Sequence, residues 1–276
     1  MSSLVDRIGL HTWTLDTTPL ADTLRIARDA GYAAVELRYA DYERAVADGQ
    51  SIDEYLNTVK SSGIAVGCVG VEANLIYASG AERDRLLRSF ELSCRIAAGV
   101  GCATLMISPG RNAATGIAEA GANLRAAGEI ARKHDLRLAL EFNSRHPVLN
   151  HISIARDIVH AAGMPNCGLL LDTYHLHFSG ADGRGFEQVP PEEIMAFQFS
   201  DAPPGPPAEG ASATDRLPPG RGVVDWKGVF GLLAEKGYRG YIMYEAPNPA
   251  QWKRSPEEVA REGITAARKL IASALN

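Results

Sequence analysis

The sequence predicts the α/β class, as a single (β/α)8 barrel, on three observations. Eight short apolar runs recur along the chain, each followed by a segment with helical spacing and charges on one face. The runs return at roughly 30–40-residue intervals, the length of a strand, helix and two turns. The 276-residue chain also matches the ~250 residues typical of such a barrel.

The expected strands lie at 8–13, 34–38, 64–71, 103–108, 137–142, 168–172, 195–200 and 240–245. They are continuously apolar rather than alternating, which suits a parallel sheet covered by helices. The expected helices at 19–30, 52–62 and 82–100 each stop at a glycine, Gly31, Gly63 and Gly101, and a fourth at 116–134 precedes the fifth strand. Glycine stops a helix because it accepts a left-handed backbone. A dinucleotide-binding sheet would need G-x-G-x-x-G after the first strand, but the chain continues HTWTLDTTPL, and no P-loop pattern occurs. No compositional break divides residues 1–276, so one barrel domain is expected. The anomaly is 202–222, APPGPPAEGASATDRLPPGRG, too long for a plain turn after the seventh strand and therefore a candidate lid.

Charge narrows the partner. Lys and Arg total 28 against 33 Asp and Glu, a net charge of -5, which argues against nucleic acid and anionic membranes and leaves a small molecule. Apolar stretches such as 64–71 fall well short of the ~20 residues that span a bilayer. The opening MSSLVDRIGLHTW has no apolar signal core, so a cytoplasmic protein is expected. Cys68, Cys94, Cys102 and Cys167 form no C-x-x-C pair and read as reduced, buried thiols.

Barrel enzymes place their chemistry at the C-terminal ends of the strands. Here the fifth strand ends RLALEF with Glu141, the sixth GLLLDTYH with Asp172, the seventh AFQFSD with Gln198 and Asp201, and the eighth YIMYE with Glu245. One acid at a strand end is usually a cap or an ion-pair partner. Four oxygen donors from consecutive strands suit a hard cation such as Mg²⁺ or Mn²⁺. Around them, His11 and Trp13 can face the same rim, Trp13 equally being core, and Glu36 can bond a substrate hydroxyl or the backbone. His146 in EFNSRH, with Arg145 beside it, is either an alternative base or a solvent-exposed loop histidine. Arg216 offers a two-pronged donor to a carboxylate or phosphate, or else a surface ion pair. Asp201 supports the metal or a substrate hydroxyl, Asp225 and Trp226 cap and anchor the next helix, and Glu72 and Asn74 are weaker candidates at the third strand.

These pieces together resemble the sugar phosphate isomerase/epimerase family of xylose-isomerase-like barrels. The family's strand-five Glu, L-D-x-x-H, H-x-x-D, R-x-x-P-G-x-G-x-x-D and strand-eight Glu meet Glu141, LDTYH (171–175), QFSD (198–201), RLPPGRGVVDW (216–226) and Glu245, while AGYAAVEL (30–37) is similar to its second unit. The resemblance implies a divalent cation held by Glu141, Asp172, Gln198 and Glu245, with Glu141 and Glu245 also carrying protons on opposite substrate faces. His175 would touch a substrate oxygen or orient a ligand. Gln198 stands where the family commonly has histidine; its neutral carbonyl favours Mn²⁺ or Mg²⁺, with Co²⁺ and Zn²⁺ as further options. A cation on a carbonyl stabilises the enediolate left by the departing α proton. The expected activity is isomerisation or epimerisation of a keto sugar or polyol-derived ketone. QFSDAP with R-x-x-P-G-x-G is also similar to 3-dehydroshikimate dehydratases, so the alternative is a lyase of that kind or a C-glycoside-cleaving β-elimination on a 3-keto sugar. The DNA-repair branch of these barrels is disfavoured by seven histidines and negative charge. Relatives often assemble, so a homo-oligomer is allowed.

Overall fold

The computed structural model describes residues 3–112, 116–206 and 213–275. The eight strands are β1 (Ile8–His11), β2 (Ala34–Leu37), β3 (Ala65–Gly70), β4 (Thr104–Ile107), β5 (Arg137–Glu141), β6 (Cys167–Asp172), β7 (Ile194–Phe199) and β8 (Ile242–Tyr244). They pair in chain order, and β1 closes on β8 in parallel. Each expected strand is present, and all but β6, which reaches Asp172 as expected, stop one or two residues short at the rim, where the backbone leaves the ladder. After His11, for instance, Thr12–Leu15 turns into a short 3-10 helix.

The covering helices are α1 (Leu20–Ala30), α2 (Tyr39–Ala47), α3 (Ile52–Ser61), α4 (Gly80–Gly99), α5 (Ile117–Arg132), α6 (Ile152–Ala162), α7 (Thr173–Leu176), α8 (Trp226–Glu235) and α9 (Pro256–Leu275). Gly31 ends α1 with φ 89°, the left-handed conformation its position requires. Helix α2 has no counterpart in the sequence reading, because nine residues are too few to establish a clear period. Its first turn is held instead by Asp41, which accepts the Arg38 N–H at 2.9 Å.

Between strands and helices runs one continuous apolar layer. Inside the barrel a smaller cluster of Ala139, Leu170, Met195 and Ala196 packs with Met106. Met243 fills the space between two facing glycines. A Cβ on Gly9 would lie 2.2 Å from its sulfur, and one on Gly67 2.3 Å from its methyl. This thioether lies one inward position below Glu245, and so forms part of the floor under the rim. All four cysteines are buried free thiols. No helix among the described residues is long and apolar enough to cross a membrane.

Candidate active site at the C-terminal rim

Alternation along a strand sends every second side chain into the barrel. Glu141, Asp172, Gln198 and Glu245 therefore project inward from β5, β6, β7 and the residue after β8, and all four are buried. Register aligns them: Asp172 pairs with Gln198, and the Glu245 N–H donates to the Phe199 carbonyl at 3.0 Å. His11 and Glu36 pair in the same way on β1 and β2. The first half of the barrel thus adds two polar groups to the same layer.

Arg216 is the cation at the centre. It is 1% exposed, and its Nη1 lies 3.0 Å from Glu245 Oε2 and 2.5 Å from Asp172 Oδ2. Its guanidinium also stacks 4.6 Å from the Tyr174 ring centroid. Burial alone would lower its pKa, but Asp172, Glu245 and Glu141 more than offset this and raise it. Neither role foreseen for Arg216 matches this placement: it is no surface ion pair, and its fork is already engaged by the protein's own carboxylates.

One guanidinium cannot neutralise the whole group. Burial, then the neighbouring Glu245 and Asp172, push the Glu141 carboxyl well above its ordinary range. Burial likewise lifts Glu245 to about 7, with Arg216 opposing and Asp172 reinforcing the shift. Glu36 rises to about 8 through burial and the nearby Glu245.

Two neutral histidines face this acid cluster. His11 Nδ1 accepts the Trp13 N–H at 3.1 Å, so the ring hydrogen sits on Nε2, 3.4 Å from Glu245 Oε1 and 4.0 Å from Glu36 Oε1. Burial, Arg38 and Arg216 hold its pKa well below the usual value. His175 Nδ1 lies 3.3 Å from the Ser144 N and 3.0 Å from Ser144 Oγ, and its Nε2 lies 3.4 Å from Arg216 Nη2 and 3.8 Å from Glu141 Oε1. Burial lowers its pKa to about 3. Glu141, Asp172 and His175 place ligand-type atoms within 4.8 Å of one another. His175 Nε2 thus faces both the Arg216 guanidinium, which can only donate, and the Glu141 carboxyl. Ser144 was missed by sequence reasoning, and its only signal was its place three residues after Glu141.

Gln198 Nε2 donates to Glu36 Oε1 at 2.9 Å, and Gln198 Oε1 is buried with no hydrogen-bond partner among the described residues. Glu36 thus bonds a side chain from the opposite half of the barrel rather than the backbone.

Two expected site residues are placed elsewhere. Asp201 is fully buried in the loop after β7: Oδ1 accepts the Val224 and Ala202 N–H groups at 3.0 and 3.1 Å, and Oδ2 accepts Gly220 N–H and Trp226 Nε1–H at 2.8 and 3.0 Å. All four lone-pair positions are spent, leaving none for a substrate or ligand. His146 is neither a base nor exposed. Its Nδ1 accepts the Val148 and Leu149 N–H groups at 3.1 and 2.8 Å, its Nε2 donates to the Asn112 carbonyl at 3.0 Å, and its ring stacks on Tyr77. Trp13 is half-buried beyond β1, where its carbonyl accepts Trp252 Nε1–H at 3.3 Å. Glu72 pairs with Arg85, while Asn74 Oδ1 accepts the Arg111 N–H at 2.7 Å. Arg145 joins Tyr174 and Asp215 beside the rim.

Asp225 caps α8 by accepting the Gly228 N–H at 3.0 Å, and Trp226 stacks on Phe230. The loop proposed as a lid is tied down by Asp201 and by the Asp201–Leu217 backbone bridge; its residues 207–212 lie outside those described.

A family model described as xylose isomerase-like TIM barrel matches residues 24–270. The chain belongs to this family. An inosose isomerase of Halalkalibacterium halodurans is 32% identical to it over 135 residues, 48% of this chain and 47% of that protein. A 3-dehydroshikimate dehydratase of Pseudomonas aeruginosa is 31% identical over 134 residues, 46% of this chain but 20% of that protein. The matched segment spans about half the length of the inosose isomerases. A putative hydroxypyruvate isomerase of Streptomyces coelicolor is 23% identical across 82% of this chain and 85% of its own. Among solved structures, an IolI protein with a bound zinc atom superposes with a TM-score of 0.86 at 19% identity, covering 97% of this chain and 99% of that one. An L-ribulose 3-epimerase gives 0.77 at 17% identity, covering 98% and 95%. At such identities the structural likeness speaks for the barrel alone.

Proposed function

We propose that this chain is a divalent-cation-dependent isomerase or epimerase acting beside the carbonyl of a keto sugar or a polyol-derived ketone of the inosose type. The observation that carries this reading is the excess of buried carboxylate at the rim. Glu141, Asp172 and Glu245 cluster about the Arg216 guanidinium, which pairs with the latter two, and the Gln198 carbonyl oxygen beside them has no hydrogen-bond partner among the described residues. Such a cluster is costly unless a further cation joins it. The donor set fits a hard divalent ion, with Glu141, Asp172, Gln198 and Glu245 as the residues that would hold it and Mn²⁺ or Mg²⁺ as the best match. When bound, the ion would polarise the substrate carbonyl and acidify the adjacent C–H.

The chain's own residues supply the proton movements. Glu141 and Glu245 reach the site from β5 and β8, so one carboxylate takes the α proton and the other returns a proton. His11 directs Nε2–H at Glu245 and keeps that carboxylate oriented. His175 presents Nε2 to the cluster, where it can hydrogen-bond a substrate oxygen or group beside Glu141. The names of the similar inosose isomerases support the reaction class.

The similarity to 3-dehydroshikimate dehydratases supports a second reading, elimination of a β-hydroxyl by the same proton abstraction. A substrate carboxylate would then need a cation, and Arg216 is already committed to Asp172 and Glu245. Isomerisation is therefore favoured. The test incubates the Mn²⁺-loaded protein with an inosose in D2O and follows the C–H signals beside the carbonyl by proton NMR. Exchange with formation of an isomer supports the first reading. Protocatechuate absorbance from dehydroshikimate without ketone exchange transfers support to the second, and neither signal overturns both.

A further inference from the structure

We infer that Glu36 is a positioning residue that turns the Gln198 carboxamide so that its oxygen, rather than its nitrogen, faces the cation, an inference that rests on the reading proposed above. A carboxamide is nearly symmetric in shape but not in chemistry. Its oxygen can ligate a hard cation; its N–H groups cannot. A carboxylate at a strand end carries no such ambiguity, because its two oxygens are equivalent. Glutamine at 198 therefore needs a neighbour that distinguishes its two ends.

Glu36 meets that need from across the barrel. Its Oε1 accepts Gln198 Nε2–H at 2.9 Å, although β2 and β7 are not neighbours in the sheet. That Oε1 accepts the amide N–H whether or not a proton is held on the other carboxyl oxygen, so it selects the amide nitrogen and leaves Gln198 Oε1 pointing elsewhere. That oxygen is buried and lacks a hydrogen-bond partner among the described residues, the condition of a ligand atom awaiting an ion. Both side chains are almost wholly enclosed, at 0% and 1% exposure, so water does not compete for the contact. Groups behind a metal ligand commonly fix its orientation in this way.

Cobalt(II) alone is the probe, its affinity read from its visible absorption on titration into the full chain. Glu36→Leu is expected to weaken Co²⁺ binding by about 10–100-fold. Glu36→Gln, whose own carbonyl can still accept the Gln198 N–H, is expected to stay within a few-fold of wild type. Gln198→Glu removes the need for orientation: a carboxylate has two equivalent oxygens, so adding Glu36→Leu in this background should weaken Co²⁺ binding clearly less than it does beside Gln198. Equal affinity of wild type and Glu36→Leu would overturn the inference, as would equal weakening in both backgrounds, which marks a merely structural role. Should Glu36→Leu fail to fold, Glu36→Asp withdraws the acceptor by one methylene and is expected to weaken binding; unchanged affinity there would overturn the inference. A wild-type protein that binds no Co²⁺ removes the cation reading itself, whereas normal wild-type binding with indifferent Glu36 variants removes this inference alone.

Discussion

The two ends of the barrel differ in what their polar groups have left to do. At the N-terminal mouth, a cavity of about 600 Å³ is lined by Arg7, Arg137, Tyr238 and Tyr241 among others. Its cations are largely occupied by the protein: Arg7 Nη1 donates to the Tyr238 and Gly240 carbonyls at 3.0 and 2.7 Å, and Arg137 to Thr104 Oγ1 at 3.0 Å. At the C-terminal rim the side chains crowd together, three carboxylates cluster about one guanidinium that pairs with two of them, and a buried carbonyl oxygen has no hydrogen-bond partner among the described residues. Empty volume and unmet electrostatic demand occur at opposite ends. The demand, rather than the volume, marks the reactive end, because perturbed acids are what proton chemistry requires.

The largest test of that contrast is removal of the rim acids. Glu141→Gln and Glu245→Gln should each lower kcat by about 10²–10⁴-fold, the range a general acid or base contributes. Their thermal midpoints should not fall, since a neutral amide relieves a crowded charge. Wild-type turnover in either would break the comparison.

Not every buried acid near the rim belongs to the site, and Asp201 separates the two kinds. Asp201→Ala strands the four donors its carboxylate accepts, and urea unfolding should show a loss of about 2–4 kcal/mol. Asp201→Asn, which keeps one acceptor, should lose less.

The pH dependence of the metal-free protein sharpens the contrast further. Glu245 rises from 4.5 to about 7 on folding. A raised carboxyl pKa means that the folded state holds its proton longer, so this contribution is complete below pH 4.5 and is lost as the pH climbs to about 7. Urea midpoints of wild type relative to Glu245→Gln should therefore decline across that window. A flat difference would show that Glu245 is not under the proposed pressure.

His146 shifts in the opposite sense, since burial lowers its pKa from 6.5. Protonation then favours the unfolded chain, and stability should drop as the pH falls below 6.5, a slope that His146→Gln should flatten. Turnover per folded molecule should stay close to wild type. The smallest effect is expected at the other mouth: Arg137→Gln should leave kcat/KM and Co²⁺ affinity within about twofold, a change of less than ~0.5 kcal/mol. A large kinetic loss there would refute the division between the two ends.

Much of the barrel was legible because its signals are local. Apolar runs, helical spacing and terminal glycines such as Gly31 report on neighbouring residues, and Glu141, Asp172, Gln198 and Glu245 stood out by ending consecutive runs. Helix α2 was not legible, being short and held by the local Arg38–Asp41 contact. His146 and Asp201 carried suggestive chemistry in the sequence, but which way a side chain turns depends on donors that the fold gathers around it. Arg216, in a Pro- and Gly-rich loop, read as a fork for a substrate anion or else a surface ion pair, yet the described part of that loop folds over the rim and buries it against Asp172 and Glu245.

The order of elements, the closed parallel sheet and the level of the acids were determined by the sequence alone, since strand period and chain order suffice to place them. Only the tertiary structure decided how those acids are divided. Asp172 faces Arg216 while Asp201 faces backbone N–H groups, and Glu36 on β2 meets Gln198 on β7. Contacts between residues 162 positions apart leave no trace in local periodicity; they arise when barrel closure brings opposite strands within hydrogen-bond reach.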